Sequence, residues 1–369
     1  MSRLLSSDII SAQPEILKTH LSICVDFILG QLVGVTAVLL YGGYGRGEGT
    51  WLREEGECRP YNDYDFLVIL DGHGSQKERK LKTLDTKQLA LSLGISWVDI
   101  DMISIDAFGR LKHTVKNYDI LHGSTVIYGD SRIMEQANSI LPHHITSRDL
   151  YRYYYTRSYT VLCALPKGKK MEEANFQEMR FFRNQLAKGL LAVQDCELIS
   201  EYKFYTSSYV ERTQFYAGRS ESAEKIELYR WALKEKLDPC NNEFDLDFGN
   251  KAYKALIDFY QTDMNKYLSK YFYGINVSLK NFQLLEHIRP ILLAKFILSN
   301  VSSSHKNFKN ERVLEHLRYI LINTFPGAAS SEPFEQWLPK VNKLIASIDP
   351  SISHDVTWEY VQNLVMELH

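Results

Sequence analysis

Charge of one sign is what this chain most plainly lacks. Forty-three Lys and Arg stand against 45 Asp and Glu, a formal net charge of −2 over 369 residues. A field that weak gives no reason to expect a polynucleotide partner for the protein as a whole. Cysteine is also scarce: Cys24, Cys58, Cys163, Cys196 and Cys240 form no C-x-x-C pair and no zinc spacing, and their number is odd. A disulfide framework is therefore excluded as the organising principle, and reduced thiols are expected. Long apolar runs are missing as well. The longest, residues 27–41, is interrupted by Gly30, Gln31 and Gly34 and is too short to cross a bilayer. The first twenty residues are broken by Ser, Asp and Gln and lack a signal-peptide core. These absences together lead to the expectation of a soluble, cytoplasmic protein with no membrane partner.

What is present is ordinary globular material, 45% apolar and 24% charged. Its length exceeds one hydrophobic core, so two domains are expected. Apolar residues at helical spacing mark a helix over 14–33. Strands follow at 35–41, 63–70, 95–105 and 125–128, with a glycine-rich stretch and a polar loop through Pro60 between the first two. A further helix is read over 76–93. Beyond residue 146 the pattern turns helical, with segments near 147–165, 172–197, 221–236, 249–270, 286–299, 309–323, 333–347 and 354–367. The expected fold class is α+β: a small mixed-sheet domain over 1–145, then an all-helical domain over 146–369.

Chemistry concentrates in two places. Gly42 and Gly43 follow the first strand and lead to Arg46, Gly47 and Glu48, and then Asp63 and Asp65 open the second strand. Residues i and i+2 of a strand share a face roughly 6.5–7 Å apart, so Asp63 and Asp65 project together. Asp99 and Asp101 repeat that geometry on what should be a neighbouring strand. Carboxylates gathered at one sheet edge repel and raise one another's pKa. A divalent cation removes the penalty, and an all-oxygen donor set suits Mg2+ or Mn2+. Glycines after the first strand let backbone and ligand approach closely, and N–H groups at the next helix start can receive phosphate oxygens. Singly, each piece has a structural explanation: a D-x-D is common, Gly-Gly is a turn, and Arg46 with Glu48 is a surface pair. Their joint order along the chain favours a site.

That order resembles the polymerase-β-like nucleotidyltransferase superfamily, whose signature is a strand, a glycine pair, often Arg-Gly-Glu, a D-x-D strand and a further acidic strand. The resemblance covers residues 30–130, and the stretch between Gly43 and Asp63 is longer than usual for the family. It implies a metal-dependent enzyme that moves a nucleoside monophosphate, AMP from ATP in the first instance, onto a hydroxyl with release of pyrophosphate. Asp63, Asp65 and Asp101 would be the catalytic metal-binding set, with Asp99 as the alternative third ligand. Gly42, Gly43, Arg46 and Glu48 would contact the nucleotide. Basic residues of a partner helix, Arg183 and Lys188 with Arg180 beside them, would reach the triphosphate across a cleft, although solvated surface charges are the plainer reading of all three. A small-molecule acceptor is favoured over protein or RNA by the near-neutral charge. Two other readings compete. A nucleotide-sugar glycosyltransferase would explain the D-x-D but not the Gly-Gly and Arg-Gly-Glu stretch, and a non-catalytic nucleotide-binding module would not need an intact acidic set.

Overall fold

Five of the seven residues of Val35–Tyr41 are buried in succession, and that stretch forms the central strand β1. Val38, Leu39 and Leu40 each contribute about 1.5–3 kcal/mol by leaving water. The computed structural model describes residues 14–54, 57–61, 63–72, 85–147, 149–150 and 174–239, with isolated positions between 153 and 164 and between 249 and 259. β1 pairs antiparallel on one side with β4 (Tyr64–Leu70) and on the other with β6 (Thr125–Gly129). β4 in turn pairs in parallel with β5 (Val98–Ser104), which gives a mixed four-stranded sheet in the order β5-β4-β1-β6. A small mixed sheet with flanking helices is the α+β organisation expected from the sequence.

Alternation splits the sheet residues between two cores. On one face Val38, Leu40, Tyr64, Phe66, Val68 and Ile100 pack with Leu17, Leu21, Cys24 and Ile28 of helix α1 (Glu15–Gln31). On the other, Leu39, Leu67 and Ile69 meet Phe108, Leu111 and Ile120. Phe108 ends a one-turn helix, and Ile120 belongs to α5 (Val115–Gly123), a helix absent from the sequence reading. In chain order the intervening short helices are α2 (Gly42–Gly45), α3 (Thr86–Leu93) and α4 (Ile105–Phe108).

The stretch expected as a polar loop through Pro60 instead contains an antiparallel hairpin, β2 (Trp51–Glu54) with β3 (Glu57–Pro60). Trp51 and Leu52 are buried, and the Tyr44 ring meets Trp51 edge-on at 5.4 Å. The Tyr44 hydroxyl donates to the Thr50 carbonyl at 2.6 Å and accepts from the Tyr61 N–H at 3.1 Å, which closes the base of the hairpin.

The chain divides into two units, Met1–Asp149 with Gln194–Glu243, and Leu150–Val193 with Phe244–His369. Residues 194–243, expected in the helical domain, therefore belong with the sheet. They contribute the last turn of α6 (Phe176–Glu197), α7 (Tyr209–Ala217) and α8 (Ala223–Leu237). Lys236 on α8 donates from Nζ to Thr50 Oγ1 at 2.7 Å, and Thr50 Oγ1 donates to the Lys236 carbonyl at 2.6 Å. In the second unit Phe182 on α6 meets the Tyr253 ring at 5.6 Å. The helices expected over 286–299, 309–323, 333–347 and 354–367 lie outside the described residues, as do most of 147–165 and 249–270 and the first part of 76–93. Among the described residues no helix is long and apolar enough to cross a membrane.

Candidate metal centre

The parallel register of β4 and β5 sets Asp65 opposite Asp99, and the antiparallel register of β1 sets Tyr41 opposite Asp65. Tyr41, Asp65 and Asp99 thus form one row across three strands, at the end of β1 and the start of β4 and β5. Asp63 precedes β4 by one residue and reaches the same point. Asp63, Asp65 and Asp99 each offer a carboxylate oxygen, and the three oxygens lie within 4.8 Å of one another. At such separations two like charges near a protein surface repel by about 4 kcal/mol. Asp99 registers the crowding: burial raises its pKa, and the Asp63 and Asp101 charges raise it further, against the Trp97 N–H and the Lys116 charge. Three oxygen donors converging at this spacing match what a hard divalent cation requires.

The glycine turn closes the site on one side. Gly42 opens α2 directly after β1 with φ of +69°. A Cβ at this position would lie 2.2 Å from Asp65 Oδ2, so the Asp65 carboxylate occupies the space that any other side chain would take. Only glycine meets both demands, a left-handed backbone and a carboxylate packed against Cα. Gly45 is held as tightly, since a Cβ there would stand 2.2 Å from the Leu40 carbonyl oxygen. Asp65 and the turn are therefore in direct contact, as a common site demands.

Asp101, the preferred third ligand in the sequence reading, is not the one that joins the cluster. It sits two residues farther along β5, opposite Leu67. Its Oδ2 accepts from the Tyr41 hydroxyl at 2.8 Å and from Lys116 Nζ at 2.6 Å. Lys116, on the first turn of α5, also stands 5.6 Å over the Tyr41 ring. Burial first, and then the charges of Asp65 and Asp101, keep the Tyr41 hydroxyl protonated far above its ordinary range, so it serves as a donor. The convergent set is Asp63, Asp65 and Asp99, with Asp101 neutralised beside it.

Arg46 and Glu48, expected at the nucleotide, stand in a buried polar network. The Arg46 guanidinium lies 3.3 Å from Glu48 and 3.6 Å from Asp119, and 4.3 Å over the Tyr209 ring. Glu48 accepts from Ser208 Oγ at 2.7 Å and from the Tyr209 and Val210 N–H groups at 2.8 and 3.3 Å. A carboxylate on those orphan N–H groups caps α7 and complements its dipole. Asp119 also accepts from the Tyr205 hydroxyl at 3.1 Å, and Tyr205 in turn takes a hydrogen bond from Arg212. Arg212 is fully buried and pairs with Asp195 at 2.9 Å. The Arg-Gly-Glu triplet therefore ties the glycine turn to α7.

Arg183 and Lys188 lie on α6 in the second unit, Arg183 buried and Lys188 half-buried, while Arg180 beside them stacks 4.4 Å over Phe176. Trp97, Tyr41 and Lys116 stand at the cluster without being among the site residues expected from the sequence. Trp97 was open to detection, because it shares a strand face with Asp99 by simple alternation. Lys116 needed a helix, α5, that the pattern did not reveal. Compared with known proteins, the chain matches no family model and no curated sequence.

Proposed function

We propose that the protein is a metal-dependent nucleotidyltransferase, which transfers a nucleoside monophosphate from a triphosphate, ATP in the first instance, to a hydroxyl group of a small molecule. The observation that supports this reading is the convergence of Asp63, Asp65 and Asp99 in front of the Gly42 turn. The donor set is all oxygen and fits Mg2+ or Mn2+. Such an ion, when bound, would neutralise the carboxylates, carry triphosphate charge and make the acceptor hydroxyl more acidic. Asp63, Asp65 and Asp99 would hold it.

The chain's own groups supply the rest. Gly42 leaves room for the Asp65 carboxylate against the turn, and Gly43 lets the turn close on the Glu48 carbonyl and Gly49. The acceptor oxygen attacks the α-phosphorus, a new P–O bond forms, and the bond to the β-phosphate oxygen breaks to release pyrophosphate. The hydroxyl proton passes to the Asp99 carboxylate as general base. Arg46 and Glu48 act as positioning residues, holding the turn through α7. Nothing in this scheme requires a polynucleotide, and a net charge of −2 fits a small acceptor.

The test is binding before turnover. Wild-type protein should bind a non-hydrolysable ATP analogue only when Mg2+ is present, and Asp63→Asn should abolish that binding. With α-labelled triphosphates and a panel of hydroxyl compounds, the label should transfer with stoichiometric pyrophosphate. Wild-type protein that binds no triphosphate with Mg2+ would overturn the reading.

A further inference from the structure

Trp97 stands just ahead of β5, two residues before Asp99 and so on the same face, and its indole Nε1–H donates to Asp99 Oδ1 at 2.5 Å. Its backbone is fixed, because the Trp97 carbonyl accepts from the Tyr64 N–H at 3.2 Å as the β4–β5 ladder begins. Ser96 Oγ adds a 3.4 Å bond to the Tyr61 carbonyl, from the segment that leads into Asp63. Yet Trp97 is 48% exposed. Core packing does not explain an indole half in water, and the feature its position does explain is the hydrogen bond. A lone aspartate among like charges would turn away from them. The N–H occupies one carboxylate oxygen and opposes that rotation.

We propose that Trp97 is a positioning residue for the cation: its indole N–H holds the Asp99 carboxylate in the orientation that completes the donor set with Asp63 and Asp65. This inference builds on the metal-binding reading above and names the group that makes the third ligand available. Partners of this kind change metal affinity by roughly 10–100-fold in characterised sites. Unlike the usual carboxylate–histidine arrangement, the ligand here is the carboxylate and the outer partner is a donor. The effect is orientation of the Asp99 carboxylate.

The experiment titrates Mn2+ into the full-length protein and counts bound ion by electron paramagnetic resonance. Wild type, Asp63→Asn and Trp97→Phe are compared. Phenylalanine keeps an exposed aromatic ring and removes only the donor. Trp97→Phe should bind Mn2+ about tenfold more weakly than wild type, while Asp63→Asn shows no ion at this site. A second readout uses the wild-type protein alone. The indole N–H resonance missing from the Trp97→Phe spectrum should move on Mg2+ addition with the affinity of the ion. If Mn2+ binds wild type and Trp97→Phe equally, or if the indole resonance ignores Mg2+, the role given to Trp97 is overturned and the metal site stands. If wild type binds no Mn2+ in an Asp63-dependent way, the metal reading itself fails and takes this inference with it.

Discussion

Two clusters of charge in the first unit use the same residue types to opposite ends. Around Arg46 and Arg212 the acids and bases are matched: Glu48 and Asp119 face one guanidinium and Asp195 the other, with aromatic rings stacked on both. At the start of β4 and β5, three carboxylates meet within 4.8 Å, and the neighbouring cation, Lys116, is paired with Asp101. The first cluster has the balance of a structural element. In the second, like charges face one another, and burial together with the Asp63 and Asp101 charges raises the pKa of Asp99. A charged motif in the sequence does not reveal its surroundings: Arg46 and Glu48 lie among opposite charges, whereas Asp63, fifteen residues after Glu48, meets two further carboxylates.

The comparison can be broken most severely at Arg212. Arg212→Met leaves Asp195 buried without its partner and should lower unfolding free energy by about 3–5 kcal/mol in chemical denaturation. A loss under about 1 kcal/mol would mean the network is not structural. Glu48→Ala removes the α7 cap and a partner of Arg46, and a loss of about 2 kcal/mol is expected. Triphosphate binding should weaken through the turn, and Glu48→Gln should recover part of both.

At the acidic cluster the sign reverses. Without cation, Asp63→Asn should be as stable as wild type or more stable by up to about 1 kcal/mol, since it removes repulsion from a half-buried site. Stabilisation by added Mg2+ should vanish in the same variant. Destabilisation of the cation-free protein would place Asp63 among the matched charges instead.

The smallest effect is on pH. The folded state raises the pKa of Asp99, so native Asp99 takes up a proton before the unfolded chain does. Its contribution favours the native state below the unfolded value and is lost as pH rises through the folded one. Measured without cation, the stability of wild type relative to Asp99→Asn should therefore increase as pH falls through the acid range. A decrease would contradict the assigned direction.

Much of this was legible in the sequence, and the failures have physical causes. β1 needs only a short, mostly apolar run with β-branched residues, and its bounds follow from it directly. The sharing of a face by Asp63 and Asp65 follows from a period of two. Register between strands does not: choosing Asp99 over Asp101 depends on how the chain between β4 and β5 returns, and alternation places both on one face. α7 escaped because its buried side includes Arg212 and Thr213 beside Tyr209 and Tyr216, which reads as a polar surface rather than a core stripe. The hairpin escaped because its strands are four residues long and its anchor, the Tyr44 ring, comes from elsewhere in the chain.

The central claim is that Asp63, Asp65 and Asp99, and not Asp101, bind a divalent cation together with a triphosphate. Calorimetric titration of a non-hydrolysable ATP analogue with Mg2+ into wild type, Asp99→Asn and Asp101→Asn tests it directly. The account predicts Mg2+-dependent binding that Asp99→Asn eliminates and Asp101→Asn weakens only a few-fold. Loss of binding in Asp101→Asn with binding retained in Asp99→Asn, or wild-type binding indifferent to Mg2+, would contradict it.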